Sequence, residues 1–228
     1  MTFTIMGRCK ESGRLGIATA TNALAVGVRV PFIRPRVGAV SIMAIADPRL
    51  GDTAMRFLEL GYKAPRVIEA VVAGDPYAEY RQLGVIDDDG FIACRNGAEN
   101  RDYTGYHIGD SHLALGNALK GEHVLSAIEE AYLASPDDPL EDRLMRGIEA
   151  GRDAGGQHGG QRSAAILVYG DKEFSEVNLR VDIHDEPVGE LRRVYDIYKP
   201  TVPYYNWRLV DARVPRLDDW LAEQQSKE

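Results

Sequence analysis

The order in which strand-like and helix-like segments follow one another disfavours a doubly wound parallel sheet. Four strand-like segments come first, then two helical segments, and the chain continues with two strands, two helices, two strands and a helix. The predicted strands cover residues 2–8, 15–21, 26–30, 37–45, 80–87, 91–96, 163–169 and 177–181. The predicted helices cover residues 47–60, 64–73, 117–134, 139–152 and 187–197. Because strands and helices come in blocks rather than in β-α-β alternation, we expect an α+β fold of two stacked, mainly antiparallel sheets with helices outside.

The length of the chain suits one domain. Its 228 residues contain no internal repeat and no linker, so we expect a single domain over residues 1–228. The tail, residues 198–228, contains both tryptophans, Trp207 and Trp220, and several prolines. Aromatic residues are enriched in interface cores, so we expect the tail to pack at an interface and the chain to form a homo-oligomer.

The charge balance excludes several classes of partner. The chain has 27 basic and 35 acidic residues, a formal net charge of −8, and no basic run that offsets it. We therefore expect neither nucleic acid nor an anionic membrane surface as a partner. The start of the chain lacks a signal-peptide pattern, and no apolar stretch approaches the roughly 20 residues that span a bilayer. A cytoplasmic protein is expected.

No metal or cofactor is expected, and the expected partner is a small-molecule substrate. Cys9 and Cys94 are too few for a metal cage, and His107 and His112 have a spacing that needs a third ligand. The glycine-dense loop over residues 155–160 lacks the lysine and following hydroxyl residue of a phosphate-binding loop, and it does not lead into a helix.

Thr2 directly follows the initiator methionine and opens the first predicted strand. Aminopeptidases generally remove methionine before a residue this small, which would leave Thr2 with a free α-amine. Such an amine has a reference pKa of roughly 7.7–8.0 and can act as the general base for the hydroxyl beside it. The pattern predicts a threonine nucleophile; the plain alternative is that Thr2 is only the first residue of a strand.

Other polar residues stand at the ends of predicted elements. Asp182 and His184 alternate at the last strand, so they should share a face, either as a general acid/base pair or as a salt link that anchors the last helix. Thr21 and Asn22 end the second strand, where Thr21 could bond near the amine and Asn22 is typical of a turn. Asn117 is either a helix N-cap or an amide donor to a developing oxyanion.

Five blocks of sequence resemble a bacterial family labelled domain of unknown function 1028. They are Thr2-Phe3-Thr4-Ile5 through Ser12-Gly13-Arg14-Leu15-Gly16; Ala25-Val26-Gly27 with Val30-Pro31 and Val37-Gly38-Ala39-Val40; Pro48-Arg49-Leu50-Gly51; Gly116-Asn117; and Arg180-Val181-Asp182 and His184 with Pro187-Val188 and Glu190-Leu191-Arg192-Arg193. Together they cover nearly the whole chain to residue 193.

The resemblance implies a fold and a chemistry. The family is grouped with the N-terminal-nucleophile (Ntn) hydrolases, which implies a four-layer αββα sandwich and cleavage of C–N bonds, usually amides, by an N-terminal Thr, Ser or Cys. A weaker similarity in layout to proteasome β-subunits implies a basic residue near the fourth strand, which would be Arg34 or Arg36.

The chain also departs from the family pattern. The threonine-glutamine pair usual after Val40 is Ile42-Met43, the asparagine before the helix-opening proline is Asp47, and the glycine-rich loop reads Gln157-His158-Gly159 where aspartate and arginine are usual. If those positions bind substrate in relatives, this chain takes a different substrate or none. His158 either approaches a ligand or is a solvated loop histidine.

The expected activity is hydrolysis of a small-molecule amide, lactam or imine, including hydrolytic deamination, with Thr2 as the nucleophile. The residues expected to bind substrate are Thr21, Asn22, Arg34, Asp47, Asn117 and His158. Two alternatives remain open. One is hydrolysis by a water that Asp47, Asp182 or His184 activates, and the other is a non-catalytic ligand-binding or assembly protein on the same scaffold.

Overall fold

Ten strands form two antiparallel sheets in the computed structural model, which describes residues 1–226. In chain order the strands are β1 (Thr2–Arg8), β2 (Leu15–Thr21), β3 (Pro31–Arg34), β4 (Gly38–Ala44), β5 (Arg81–Asp87), β6 (Ile92–Asn96), β7 (Gly105–Ile108), β8 (His112–Asn117), β9 (Ser163–Tyr169) and β10 (Ser175–Val181). One sheet has the order β10-β9-β2-β1-β8-β7, and the other has the order β3-β4-β5-β6.

Seven α-helices accompany these strands within residues 1–226. They are α1 (Pro48–Glu59), α2 (Ala64–Gly74), α3 (His123–Leu133), α4 (Leu140–Asp153), α5 (Pro187–Tyr198), α6 (Val202–Arg208) and α7 (Leu217–Gln225). None of them is both long enough and apolar enough to cross a bilayer.

Three layers of buried apolar side chains separate four layers of secondary structure. The first lies between the six-stranded sheet and helices α3, α4 and α5, the second between the two sheets, and the third between the four-stranded sheet and helices α1 and α2. The first layer contains Phe3, Ile5, Ile128, Leu144 and Leu191. The second contains Met6, Leu15, Ile17, Ile86 and Leu113. The third contains Ile42, Met55, Val67, Val71 and Leu83. The predicted α+β fold of two stacked sheets between helices is therefore confirmed.

Alternation along β1 decides which side chains face which layer. Phe3 and Ile5 face the helices, so Thr2, Thr4 and Met6 point toward the second sheet. The strand lies inside the six-stranded sheet, with β2 on one side and β8 on the other. Both edges of β1 are consequently paired, and the Thr2 side chain is held in the layer between the sheets.

Gly84 on β5 allows the two sheets to approach closely. A Cβ atom at this position would lie 2.7 Å from Leu113 Cδ2, 2.9 Å from Leu115 Cδ1 and 3.2 Å from Met6 Sδ. These contacts are shorter than van der Waals separations, so a larger residue would push the sheets apart near the middle of the sandwich.

The segment between β2 and β4 differs from the prediction. Residues 26–30, which the sequence predicts as a strand, contain a short 3-10 helix, Val26–Val28, and strand β3 occupies the predicted loop. Ala25 has left-handed backbone (φ 54°), which turns the chain out of an extended path. Pro31 is compatible with β3 because β3 is an edge strand.

The predicted helix over residues 117–134 is wrong at its start. Strands β7 and β8 come first, and α3 begins only at His123. Leu113 and Leu115 face the layer between the sheets, because β8 pairs with β1 along its whole length. Asn117 therefore ends a strand and does not cap a helix.

The tail packs partly on itself. The centre of the Tyr204 ring lies 5.5 Å from that of the Trp220 ring. The Tyr204 hydroxyl donates to the carbonyl oxygen of Pro215 at 2.8 Å. Leu209 and Val210 remain exposed. An interface at the tail and a homo-oligomer stay predictions, which light scattering tests; the last two residues of the predicted tail, 227–228, lie outside the described residues.

Candidate active site

The layer between the sheets is apolar at one end and polar at the other. Eight polar side chains, none more than 4% exposed, gather where β1 begins and where β2 and β8 end: Thr2, Thr4, Thr19, Thr21, Ser41, Gln82, Asn117 and Ser163. Burial of this many polar groups is costly unless hydrogen bonds satisfy them. We call this set the polar end, and it is the first candidate for a site.

Threonine hydroxyls form a directed chain across β1 and β2. The Thr21 hydroxyl donates to the carbonyl oxygen of Met1 at 2.7 Å, and Thr2 Oγ1 lies 3.0 Å from Thr21 Oγ1. Since Thr21 uses its single proton on Met1, Thr2 must be the donor of this pair. Thr4 donates in the same way to Thr19 at 2.7 Å. The hydroxyl of Thr2 is thus fixed in orientation as well as in position.

Gln82 joins the two sheets beside Thr2. Its Nε2, which has two protons, lies within hydrogen-bond distance of three acceptors, Asn96 Oδ1 at 2.8 Å and the carbonyl oxygens of Gly116 at 3.0 Å and Gly105 at 3.1 Å. Its Oε1 accepts from Asn117 Nδ2 at 3.0 Å. Asn117 is directly opposite Thr2 in the β1–β8 register. Gln82 therefore holds the Asn117 amide next to Thr2, and one further N–H of that amide remains for a ligand.

Two cavities flank Met1 at this end of the sandwich. The smaller has a volume of about 110 Å³ and contains Thr2 in its wall. The larger has a volume of about 360 Å³ and contains Asn117 in its wall. Met1 and Ala44 belong to both walls, so they separate the two spaces. Removal of Met1 would open a path between them beside Thr2.

Charged groups line both cavities. Arg29 belongs to the wall of the smaller one, and Glu99 and Arg101 belong to the wall of the larger one. Burial lowers the pKa of the Met1 α-amine, and the positive charge of Arg101 lowers it further. An N-terminal amine in this place consequently spends more time unprotonated near neutral pH, which is the state that accepts a proton.

Three alanines with left-handed backbone surround the cavities. Ala44 (φ 68°) and Ala118 (φ 53°) follow or end strands at the cavity walls, and Ala25 (φ 54°) lies between two residues of the smaller wall. Such backbone costs a non-glycine residue about 1 kcal/mol or more, and it concentrates at functional sites. The strain agrees with a ligand site at the polar end.

Asp182 and His184 do not form a pair, which corrects the prediction that they share a strand face. Strand β10 ends at Val181, and both residues are exposed beyond it. The Asp182 carboxylate binds the guanidinium of Arg180 at 2.7 Å, and His184 Nδ1 accepts from the backbone N–H of Glu186 at 2.9 Å. Neither side chain lines a cavity beside Thr2.

Arg34 and Asp47 also lie outside the cavity walls. Arg34 forms an exposed ion pair with Glu59 at the opposite end of β4 from Ala44. Asp47 caps α1, accepting from the backbone N–H of Arg49 at 3.1 Å, and hydrogen bonds from the Arg49 side chain lower its pKa to about 2. The carboxylate therefore stabilises a helix start and an ion pair.

Asn22 contacts the glycine-dense loop and His158 belongs to it, and neither residue lines a cavity wall. Asn22 Nδ2 donates to the carbonyl oxygens of Gly159 at 2.6 Å and Gly160 at 3.3 Å, as expected of a residue that stabilises a turn. His158 is exposed, and its Nδ1 lies 3.4 Å from Lys120 Nζ. Among the predicted site residues, the structure brings together Thr2, Thr21 and Asn117.

Several residues of the site are absent from the sequence-based prediction. A signal existed for Thr4 and Thr19, because two-residue alternation places them on the faces of Thr2 and Thr21. Gln82 interrupts an apolar strand, which marks it as a buried polar residue. Other members of the site lie in loops or at positions that only the tertiary structure defines: Ser41, Ser163, Arg29, Glu99, Asn100 and Arg101.

No group of three or more His, Cys, Asp or Glu side chains among residues 1–226 is arranged to hold a metal ion. His107 and His112 each contact the Glu129 carboxylate at 2.9 Å, far along the sheet from Thr2. These three side chains therefore satisfy one another.

Comparisons with known proteins give one clear relationship. The model of a family described as "Family of unknown function (DUF1028)" matches residues 2–191. The crystal structure of protein SPO2555 from Silicibacter pomeroyi, assigned to the same family, is 33% identical, with a TM-score of 0.80 over 86% of this chain and 85% of that one. No curated protein matches.

Two more distant structures are those of Anbu proteins. Anbu (ancestral beta-subunit) from Yersinia bercovieri is 12% identical, with a TM-score of 0.42 over 94% of this chain and 99% of that chain. An Anbu (Gly-1) mutant from Hyphomicrobium sp. strain MC1 is 11% identical, with a TM-score of 0.44 over 95% and 99%. Overlaps this weak support no conclusion about the present chain.

Proposed function

This chain belongs to the DUF1028 family, and we propose that it hydrolyses a carbon–nitrogen bond of a small amide, lactam or imine with Thr2 as the nucleophile. The proposal places the chain among the Ntn hydrolases and treats residues 1–228 as one domain with one cooperative melt. The observation that carries it is the position of the Thr2 hydroxyl, which is buried at the start of an inner strand, oriented by Thr21, and in the wall of a cavity.

Loss of Met1 would create the catalytic unit in two ways. The backbone nitrogen of Thr2 becomes an α-amine beside its own hydroxyl, and the Thr21 hydroxyl, which now donates to the Met1 carbonyl oxygen, becomes free to bond that amine. The amine takes the hydroxyl proton as Oγ1 attacks the carbonyl carbon. It then delivers the proton to the leaving nitrogen as the C–N bond breaks, and water hydrolyses the resulting ester to restore Thr2.

Asn117 is the proposed donor to the oxyanion. It faces Thr2 across the β1–β8 ladder, and Gln82 fixes its amide from the second sheet. A donor held in place before the reaction stabilises developing negative charge without reorganisation. A single donor of this kind contributes about 3 kcal/mol in well-studied acyl transfer enzymes.

Two alternatives fit the geometry less well. Water activation by Asp47, Asp182 or His184 has little support, because each of these side chains is engaged elsewhere and lines neither cavity. A non-catalytic ligand-binding or assembly protein is favoured by one observation, namely that Met1 fits between the cavities and accepts a hydrogen bond from Thr21. The hydrolase requires the removal of Met1, whereas the non-catalytic protein would retain it.

A matched set of threonine variants tests the proposal. Thr2→Ala removes the hydroxyl and still permits methionine removal, so hydrolysis of a small-amide library should fall by several orders of magnitude while stability changes little. Thr2→Ser should keep part of the activity. Thr4→Ala is the control, since Thr4 lies two residues further along β1, makes an equivalent hydrogen bond to Thr19 and lines neither cavity. Full activity in Thr2→Ala would remove Thr2 from the mechanism.

A further inference from the structure

We infer that the substrate is an N-acylated α-amino acid with a small acyl group and an apolar side chain. This inference rests on the proposed function, because it assigns the two cavities to the two sides of the bond that Thr2 attacks. The acyl group would enter the smaller cavity, and the amino acid would occupy the larger one.

The smaller cavity limits the acyl group. Its volume of about 110 Å³ is less than a third of the volume of about 360 Å³ of the larger cavity. Thr2 and Thr21 form part of its wall, and the apolar side chains of Val26, Val30 and Met43 form another part. Met1 also lines this cavity, so the space widens once Met1 is removed, but Val26, Val30 and Met43 still close its apolar side. A formyl or acetyl group therefore suits this space better than a benzoyl group.

Asn100 supplies an acceptor for the amide N–H in the larger cavity. Its Nδ2 donates to the carbonyl oxygen of Arg81 at 2.9 Å, which fixes the orientation of the amide. Its Oδ1 is buried and has no hydrogen-bond partner within residues 1–226. Asn100 belongs to the wall of the larger cavity, so a small movement of its side chain would let this buried oxygen accept an N–H from a ligand, and the new hydrogen bond would satisfy it.

Arg101 supplies the counter-charge for the α-carboxylate. It belongs to the wall of the larger cavity, and its charge acts on the N-terminal amine. Guanidinium groups bind carboxylates with two parallel hydrogen bonds, which favours a carboxylate over an uncharged group. A carboxylate bound here lies on the amine side of the scissile bond, as in an N-acyl amino acid.

An apolar surface continues outward from the larger cavity. Ile45 and Tyr80 line the cavity and also line a neighbouring groove of about 380 Å³ with Tyr77. All three side chains are at least 45% exposed. Exposed aromatic and aliphatic groups that rim a polar cavity are typical of a binding site. They would hold the apolar side chain of the amino acid.

The reaction balances with water as the only co-reactant. Thr2 Oγ1 forms an ester with the small acyl group as the C–N bond breaks, and the leaving nitrogen takes the proton from the Thr2 amine. Water then splits the ester, which releases a carboxylic acid and the free amino acid. The new amino group can remain on Asn100 Oδ1 until the product leaves.

Calorimetric titration of the Thr2→Ala variant tests the inference without turnover. The probes are N-acetyl-L-phenylalanine, N-acetylphenethylamine, which lacks the carboxylate, N-acetylglycine, which lacks the side chain, and N-benzoyl-L-phenylalanine, which has a large acyl group. We expect N-acetyl-L-phenylalanine to bind at least about tenfold more tightly than each of the others, which corresponds to about 1.4 kcal/mol for each missing or misfit group.

Two further variants in the same background separate the carboxylate contact from general charge. Arg101→Gln should abolish the preference for N-acetyl-L-phenylalanine over N-acetylphenethylamine. Lys120→Gln should preserve it, because Lys120 is an exposed cation that contacts His158 and lines neither cavity. A preference that survives Arg101→Gln, or no binding at millimolar concentration, would overturn the inference.

Turnover by the unmodified protein distinguishes the two proposals. The expected binding pattern without hydrolysis would support this ligand class and contradict the proposed function. Hydrolysis of other amides without the binding pattern would overturn the ligand class and uphold Thr2 as the nucleophile.

Discussion

Replacing Gln82 with methionine should destabilise the fold strongly, because this one amide joins the two sheets. The side chain is fully buried, and its two N–H groups and its oxygen lie between 2.8 and 3.1 Å from partners on Asn96, Gly105, Gly116 and Asn117. Methionine has a similar shape but makes none of these bonds.

The expected magnitude follows from the hydrogen bonds. Two N–H groups and one oxygen make about three full hydrogen bonds, each of which contributes about 1 kcal/mol net. The Asn96 and Asn117 amides also lose a partner, which adds a desolvation cost. Burial of the apolar thioether returns about 1 kcal/mol. The net loss in the free energy of unfolding should be about 2–4 kcal/mol.

Equilibrium unfolding in urea measures this loss. The midpoint of Gln82→Met should fall while the slope with urea concentration stays unchanged. Gln225→Met is the control, since Gln225 is exposed on α7 and the change there should stay within about 0.5 kcal/mol. A loss below about 0.5 kcal/mol for Gln82→Met would refute the role of Gln82 as a link between the sheets.

Further predictions address packing, pH dependence and the amine. Gly84→Ala should lower the free energy of unfolding by about 1–3 kcal/mol in thermal melts, because the new methyl group meets side chains of the opposite sheet. Gly74→Ala is the control, because its methyl group would enter open space and should not lower the free energy of unfolding. The Asp47 carboxylate should stabilise the fold above its unfolded pKa of about 3.9, and this contribution should disappear as pH falls through its folded pKa of about 2. The difference in the free energy of unfolding between wild type and Asp47→Asn should therefore stay constant from about pH 5 to 7 and shrink as pH falls from about 3.9 to about 2. Arg101→Gln should raise the pKa of the Met1 α-amine in protein that retains Met1, because a nearby positive charge is removed; NMR titration of the amine measures this, and an unchanged pKa would contradict the influence of Arg101 on this end of the sandwich.

Local patterns were sufficient to predict most of the fold. Alternation identified β1 and β2, and the run from Ser163 to Tyr169 matched β9 without error. Strands β7 and β8 were missed because β7 is short and the glycine-asparagine pair after Leu115 is also typical of a loop before a helix. What makes this segment extended is its pairing with β1, and that contact is remote in sequence.

The site was predictable only in part, for the same reason. Thr2 and Thr21 follow from their places at the ends of adjacent strands, but Asn117 reaches Thr2 only through the β8 pairing. Asp182 and His184 were misplaced because β10 ends at Val181, so neither residue continues the alternation of the strand. Spacing along a strand gives a shared face only while the strand continues.

Whether Thr2 is the first residue of the working protein is measured directly by intact-mass spectrometry with fragmentation of the N-terminus, on protein produced without an N-terminal tag. We predict a mass lower than that of the full sequence by one methionine residue, with Thr2 first, in every preparation that hydrolyses an amide. A preparation that retains Met1 throughout and still hydrolyses the substrate at full rate would contradict the proposed mechanism.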